Sequence, residues 1–454
     1  MDLRGRRVLV VGLGRSGVAA ARLCQQHGAH VSGTDSRPAA ELGEAVRQLG
    51  IELFAGGHDQ APFDRVDLVV VSPGVPDFPA LAACEARGVP VIGELELGFR
   101  FTQAPVLAVG GTNGKSTTTA LLACLLEGDG LHIFAGGNLG VPLCEVVAQP
   151  QAERPYDAMV LEVSSFQLER APTFHPRVNV LLNITDDHLD RYDGFHSYAR
   201  AKGNSFVNQG ASDFGVIPAG DPLCEEQALR GKEQPIRFAL AAAADPAVAY
   251  RVEANGPHGV VVEQRTGSRF DLSELRLHGT HNWLNAAAAI AAARCFGVSE
   301  AGIAAGLRVF QPLGHRMALA GEVGGVRYYD DSKGTNVGAV VTALSGVTEP
   351  RVVLIAGGRD KLGSYEPLRV ALQRKGRAVV LIGEAAERMA TALADTLPVA
   401  RAGSMDEAVQ VAAKLAQKGD AVLLSPACSS FDMFSGYAAR GDAFVAAVQR
   451  LNPD

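Results

Sequence analysis

The chain has 454 residues, 47% hydrophobic and 20% charged, an ordinary globular composition whose length predicts about three domains. A formal net charge of −7 leaves no basic footprint, which excludes nucleic acid as an expected partner. Seven scattered cysteines without a C-x-x-C pair fit reduced thiols in a cytoplasm, and no run approaches the roughly 18 apolar residues of a spanning helix.

The opening MDLRGRRVLVVGLGRSG is basic and then apolar, superficially like a secretory signal. Its apolar run is short and glycine-broken, so a first strand over 7–11 fits better. GLGRSG then satisfies G-x-G-x-x-G at Gly12, Gly14 and Gly17, and a second strand ends at Asp35. This is a dinucleotide fingerprint with an acidic residue placed for a ribose hydroxyl. By itself it specifies a tight βα turn near a phosphate or sugar, not which nucleotide sits there. DLVVVSPGVP is a further buried strand running into a Pro-Gly loop, and a boundary is expected near Phe99.

VLAVGGTNGKSTTTALL, from Val106, organises the next segment. It reads as strand, glycine-rich turn and helix, with Gly111, Thr112, Asn113, Gly114, Lys115, Ser116 and Thr117 around the turn. Backbone N–H groups there would cradle phosphates at the positive end of the helix. Lys115 would reach the β- and γ-phosphates and Ser116 would ligate Mg²⁺. The strict P-loop pattern is not met, because its first glycine falls on Val109. Downstream, DAMVLEVSSFQLE delivers Glu162 into a polar loop, and RVNVLLNITDDHLDRY ends in Asn183, Asp186, Asp187 and His188. Such residues at the carboxyl ends of parallel strands lie where open α/β sheets bind ligands.

Residues 248–277 alternate apolar and polar over short runs, as antiparallel hairpins do. HNWLNAAAAIAAARCFG is a helix in which Asn282 and Asn285 share a face near the start, either as caps or as ligand contacts. From Leu313, two short strands surround Gly324-Gly325. Three further βα-like units follow, with strands at 352–356, 378–382 and 421–424, as in a second doubly wound sheet.

Taken in order, GLGRSG with TDSRP, SPGVP, GGTNGKST, GGNLGVP, LEVSSFQLE, ITDDHLDRY, HNWLNAAAA, GHR, DDSKGTNVGA, GGRDK and SPACSSFDMF resemble the Mur ligases, the ATP-dependent amide ligases of peptidoglycan precursor synthesis. The resemblance spans nearly the whole chain. It implies an α/β fold of three domains: an N-terminal Rossmann-like sheet (1–98), a central P-loop-type ATP-binding domain with a small antiparallel sheet (99–312), and a C-terminal Rossmann-like domain (313–454).

It also implies addition of D-glutamate to UDP-N-acetylmuramoyl-L-alanine through an acyl phosphate, with ATP and Mg²⁺ at two sites. Lys115, Glu162, His188 and Lys202 would be catalytic, and Ser116, Glu162, His188 and Lys202 would serve the metals. Lys202 would be carbamylated by CO₂. Asn282, Asn285, Arg316 and Asp331 would contact ATP together with the phosphate loop. Arg15, Ser16, Asp35, Ser36, Arg37, Gly74, Asn138, Ser164 and Gln167 would hold the UDP-substrate, and Lys333, Thr335, Lys361, Ser430 and Tyr437 the amino acid. The expected partners are these small molecules, and a monomer in the cytoplasm, without membrane insertion, is expected.

Three departures stand out. Tyr437 replaces an expected phenylalanine, Gly203 follows Lys202 in what should be a helix, and Arg359 adds a cation without a role. An NAD-dependent oxidoreductase is the rival drawn from GLGRSG and Asp35, but it leaves GGTNGKST and the His188 cluster unexplained. Sister ligases using L-glutamate or another amino acid are a second alternative. A folate ligase would not need the N-terminal sheet, and no DNPR-like motif of a diaminopimelate-adding sister is present. Side-chain identities leave D- against L-glutamate open.

Overall fold

The structure, a computed structural model, describes residues 1–451 except 139, 150–153, 189, 190, 243, 244, 257, 276 and 278. Among the described residues the chain builds three sheets, each with helices on its faces, and adopts a three-domain α/β fold. The parts of GGNLGVP at 139 and of HLDRY at 189–190 lie outside the described residues.

The first sheet contains β1 (Arg7–Val11), β2 (His30–Asp35), β3 (Glu52–Ala55), β4 (Leu68–Val71) and β5 (Val91–Gly93). All its pairings are parallel, in the order β3-β2-β1-β4-β5. Val8 and Val10 enter one core, Leu9 and Val11 the other, which is why β1 reads as an unbroken apolar run. The strand order reverses between β1 and β4, and the crevice at their carboxyl ends is the ligand position of such sheets.

The central sheet contains β6 (Val106–Gly110), β7 (Ile133–Gly137), β8 (Ala158–Glu162), β9 (Val178–Leu181), β10 (Phe214–Pro218) and β11 (Gln234–Leu240) in parallel. It continues into β12 (Val248–Asn255), parallel to β11, and then antiparallel into β13 (His258–Glu263) and β14 (Arg269–Asp271). The expected hairpins are therefore the edge of one mixed sheet. The helix Lys115–Gly128 packs backbone to backbone on the helix Glu300–Val309: a Cβ on Gly128 would come within 2.7 Å of the Gly306 nitrogen.

The third sheet contains β15 (Ala318–Val323), β16 (Val326–Asp330), β17 (Val352–Gly357), β18 (Gly376–Ile382), β19 (Val399–Arg401) and β20 (Ala421–Leu424), ordered β15-β16-β20-β17-β18-β19. Only β15 is antiparallel. Val352, Leu354 and Ala356 face one core while Val353 and Ile355 face the other.

The chain divides into two compact units. The first holds both of the first two sheets, as Met1–Ile184, His196–Leu275 and Asn282–Phe310. The second holds the third sheet with Thr185–Phe195 and Arg276–His281. Within the first unit, the helix Glu94–Phe101 welds the two sheets together through two buried carboxylates. Glu94 accepts from the Cys144 N–H at 2.7 Å; Glu96 accepts from Arg100 at 2.7 Å and from the hydroxyl and N–H of Thr173.

Candidate active site

At the end of β6 the chain turns through Gly111 (φ 135°) and Gly114 (φ 85°), left-handed conformations that glycine adopts without strain. Gly114 is also crowded, because a Cβ there would collide with the Asn285 side-chain oxygen. Asn183, two residues past the end of β9, holds the turn. Its side-chain oxygen accepts from the Asn113 N–H at 2.8 Å, its amide donates to the Asn113 carbonyl at 3.1 Å, and its own carbonyl accepts from the Thr112 N–H at 3.0 Å.

Two amino groups converge on this turn. Lys115 Nζ donates to the carbonyls of Gly111 at 2.9 Å and Thr112 at 2.8 Å, and Lys202 Nζ donates to the same Gly111 oxygen at 2.7 Å. Lys202 is buried, 4.6 Å from the centre of the Tyr198 ring, and the Tyr198 hydroxyl lies 3.1 Å from Thr112 Oγ1. The helix Phe195–Lys202 ends at Lys202, and Gly203 opens a 3₁₀ turn. A side chain at 203 would run into Gln227 and Arg230, so this glycine is required by space rather than placed in a helix interior.

Glu162 ends β8 opposite Val109, buried, with Oε1 accepting from Asn138 Nδ2 at 2.6 Å. Ser116 and Thr117, in the first turn after the loop, are buried. Ser164 and Gln167 form a reciprocal capping box on the helix Ser165–Leu168. Asn282 and Asn285 lie inside the helix Thr280–Phe296, with Asn285 donating to the Asn282 oxygen at 3.3 Å.

The N-terminal crevice has a different chemistry. Asp35 accepts from the Leu13 N–H at 2.7 Å, the Arg37 N–H at 3.0 Å and the Arg37 guanidinium at 2.8–2.9 Å. Although burial opposes its charge, these donors hold its carboxyl down to about 2. Ser36 and Gly74 are exposed at the rim and Ser16 is half-buried. Arg15 donates to the Gly140 carbonyl at 2.8 Å and pairs with Glu145 at 3.2 Å.

In the second unit, Asp331 follows β16, buried, accepting from the Ser425 hydroxyl at 2.7 Å. Burial pushes its carboxyl up to about 7, partly offset by that hydroxyl and Arg316. Lys333 Nζ sits 4.0 Å from the centre of the Tyr437 ring, and the Tyr437 carbonyl accepts from the Ser332 hydroxyl at 2.8 Å. Thr335 donates its N–H to the Lys333 carbonyl, and Ser430 is buried. Lys361 is paired with Asp187 at 2.9 Å, and Asp187 also takes the N–H of His188, itself left-handed at φ 54°. Arg359 exchanges backbone hydrogen bonds with Ser429 and lies 3.7 Å from Glu384. Tyr198 and Ser425 lay outside the sequence-based site, whereas Asn183 was legible there as a polar residue at the end of a mostly apolar strand.

Domain-family models match in three consecutive stretches: Mur ligase MurD-like N-terminal domain over residues 6–93, Mur ligase middle domain over 109–293, and Mur ligase glutamate ligase domain over 315–428. A relative from Trichlorobacter lovleyi, named UDP-N-acetylmuramoylalanine–D-glutamate ligase, is 42% identical over 99% of this chain and 100% of its own. The chain belongs to the Mur ligase family. A second relative of the same name, from Geobacter metallireducens, is 43% identical over 99% of both chains. Among solved structures, the Mur ligase UDP-N-acetylmuramate–alanine ligase of Thermotoga maritima has the same fold, with a TM-score of 0.62 and 21% identity over 98% of this chain and 100% of its own.

Proposed function

We propose that this chain joins D-glutamate to the L-alanine carboxylate of UDP-N-acetylmuramoyl-L-alanine at the expense of ATP, in peptidoglycan precursor synthesis. The observation that carries this is the 42–43% identity over 99% of the chain to relatives bearing that name. A GGTNGKST turn with two lysine amino groups drawn to one of its carbonyls gives the reading its chemistry.

A carboxylate does not react with an amine at neutral pH. Its oxygen therefore attacks the γ-phosphorus of ATP, the bond to ADP breaks, and an acyl phosphate forms. The amine of glutamate then adds to the acyl carbon, the amide forms, and phosphate leaves with the proton released to base. Phosphoryl transfer needs positioning and charge neutralisation more than covalent help from the protein. The turn's N–H groups and Lys115 take the phosphates, and Asn183 keeps those N–H groups in line. Asn282, Asn285, Arg316 and Asp331 hold the rest of ATP. The N-terminal crevice, with Arg15, Ser16, Asp35, Ser36, Arg37 and Gly74, holds the uridine nucleotide, aided by Asn138, Ser164 and Gln167. Lys333, Thr335, Lys361, Ser430 and Tyr437 receive glutamate.

A Mur ligase uses ATP with Mg²⁺. Among the described residues no group of three or more His, Cys, Asp or Glu forms a ready metal cluster. Ser116 and Glu162 nonetheless offer the hard oxygen donors that suit Mg²⁺, with phosphate oxygens completing its shell. The ion supplies positive charge where the phosphoryl group transfers. His188 and Lys202 belong to a second site, with Lys202 as a carbamate: a neutral amine adds CO₂, loses a proton, and turns a cation into an oxygen-bearing anion. Its burial supports this, since desolvation favours the neutral amine. Lys202→Ala then loses activity and regains part of it with acetate, and full activity in Lys202→Arg would refute the carbamate.

No helix among the described residues is long and apolar enough to cross a membrane. We propose a monomer acting on small-molecule substrates in the cytoplasm. Phosphate release on UDP-N-acetylmuramoyl-L-alanine with a panel of D- and L-amino acids tests the reading. D-glutamate should stand alone, and turnover only with L-glutamate or another amino acid would overturn it.

A further inference from the structure

Glu94 has no part in the scheme above, yet it is 1% exposed. Its Oε1 accepts from the N–H of Cys144 at 2.7 Å, the Cys144 thiol donates back to the Glu94 carbonyl at 3.2 Å, and Oε2 is buried without a hydrogen-bond partner. A buried carboxylate with one oxygen unsatisfied costs free energy that an apolar residue would not. Its presence at such a site calls for a task beyond packing.

Its placement supplies one. Cys144 belongs to the short helix Leu143–Val147, which follows the loop after β7. That loop is held at three points. Asn138 donates its N–H to the Glu162 carbonyl at 2.9 Å and its amide to the Glu162 carboxylate at 2.6 Å. The Gly140 carbonyl accepts from Arg15 at 2.8 Å. Glu94 fixes the far end. The fit of the two helices is close, since a Cβ on Gly98 would lie 2.7 Å from Leu143 Cγ and 3.1 Å from the Cys144 nitrogen. The loop therefore runs between Arg15, assigned to the nucleotide, and Glu162, assigned to the metal.

We infer that Glu94 is a positioning residue of the ligase reaction: it anchors the loop that orients Glu162 through Asn138 and meets Arg15 through Gly140. This rests on the assignment of Glu162 and Arg15 above. The carboxylate acts by reach and by accepting one N–H, so two properties matter, its length and its acceptor oxygen. Loss of the anchor lets Asn138 drift from Glu162, which weakens metal use and nucleotide-sugar binding together. The phosphate loop is held separately by Asn183, so ATP binding is spared once Mg²⁺ is saturating.

The test is steady-state kinetics on the full-length enzyme with Glu94→Ala, Glu94→Asp and Glu94→Gln. Glu94→Ala should raise the Mg²⁺ concentration for half-activation by about 10–100-fold, as removal of a residue behind a metal ligand does, with a parallel rise in KM for the nucleotide-sugar. The KM for ATP, measured at saturating Mg²⁺, should stay within about twofold. Glu94→Asp, shorter by one methylene, should move the same two constants in the same direction. Glu94→Gln, which keeps the acceptor oxygen, should restore both. If Glu94→Ala fails to fold, the contrast between the aspartate and glutamine variants decides. Wild-type constants in Glu94→Asp, or a rise in the ATP KM equal to the other two, would overturn the anchor. A wild-type enzyme that releases no phosphate with D-glutamate would instead overturn the proposed function.

Discussion

Two strand–turn–helix corners in this molecule look alike in sequence and differ in charge. GLGRSG leads into the helix Arg15–Gln26 and GGTNGKST into the helix Lys115–Gly128. In the first, the turn's Leu13 N–H is already taken by Asp35, an anion held charged by Arg37. In the second, a neutral amide, Asn183, ties the Asn113 backbone, and two amino groups stand at the turn's carbonyls. An anion inside a turn repels a triphosphate, whereas a neutral brace with the Lys115 cation beside it attracts one. The glycine spacing is shared by both corners. In the proposed function, the residue bracing the turn separates the corner assigned to the triphosphate from the other.

That contrast predicts graded outcomes. Lys115→Ala should lower turnover by at least about 10²-fold, because it removes charge stabilisation at the transferring phosphoryl group. Phosphate release at saturating ATP measures it. The glycines before the two helices should then behave oppositely. Gly114→Ala forces a side chain into a left-handed position against Asn285 and should cost about 1–3 kcal/mol with a matching loss of ATP affinity. Gly14→Ala, at φ −73° with nothing within 4 Å of the added carbon, should leave stability within about 0.5 kcal/mol of wild type by denaturant titration.

Asn183→Asp would give the phosphate loop the anion of the other corner, and should raise the KM for ATP by roughly tenfold, the effect of about 1.4 kcal/mol of repulsion. An unchanged KM would show that charge in the brace is not what separates the two turns. The mildest outcome concerns pH. The folded pKa of Asp35 lies below its unfolded value, so its contribution to stability is present above the unfolded value near 3.8 and is lost as pH falls toward about 2. Asp35→Asn should therefore lower the melting midpoint at pH 7 and by only about half as much at pH 3. Asn183→Ala, removing a neutral brace, should lower it similarly at both, as calorimetry would register.

Much of the architecture was readable because parallel strands buried on both faces must be apolar throughout, as in β1, β6 and β17. The three-residue edge strand β19 escaped, being too short to show a pattern. The helix at 281–297 was legible from its alanines, and nine consecutive residues, Asn285–Ala293, are indeed buried along it. Motif residues announced the phosphate loop, but sequence could not show that Lys202 lies on the Gly111 carbonyl, because 91 residues separate them. The Asp187–Lys361 pair, 174 residues apart, was hidden for the same reason. Tyr437 contributes its carbonyl to Ser332, a contact that phenylalanine would make equally, so that departure is chemically small.

The helix Glu94–Phe101 also bears on how freely the first sheet could travel as a module. A cut at residue 98 falls inside this helix, strands Glu94 and Glu96 without Cys144 and Thr173, and exposes Leu95, which is wholly buried in the core of the central sheet in the intact chain. Two carboxylates shaped for partners on the central domain would then face water on a fragment missing part of its core. The first sheet is thus not an exchangeable cassette. Any recombination that swaps it must carry the 137–147 loop and the 170–173 segment with it, and a hybrid joined at that seam should fail to fold even where both parents are stable.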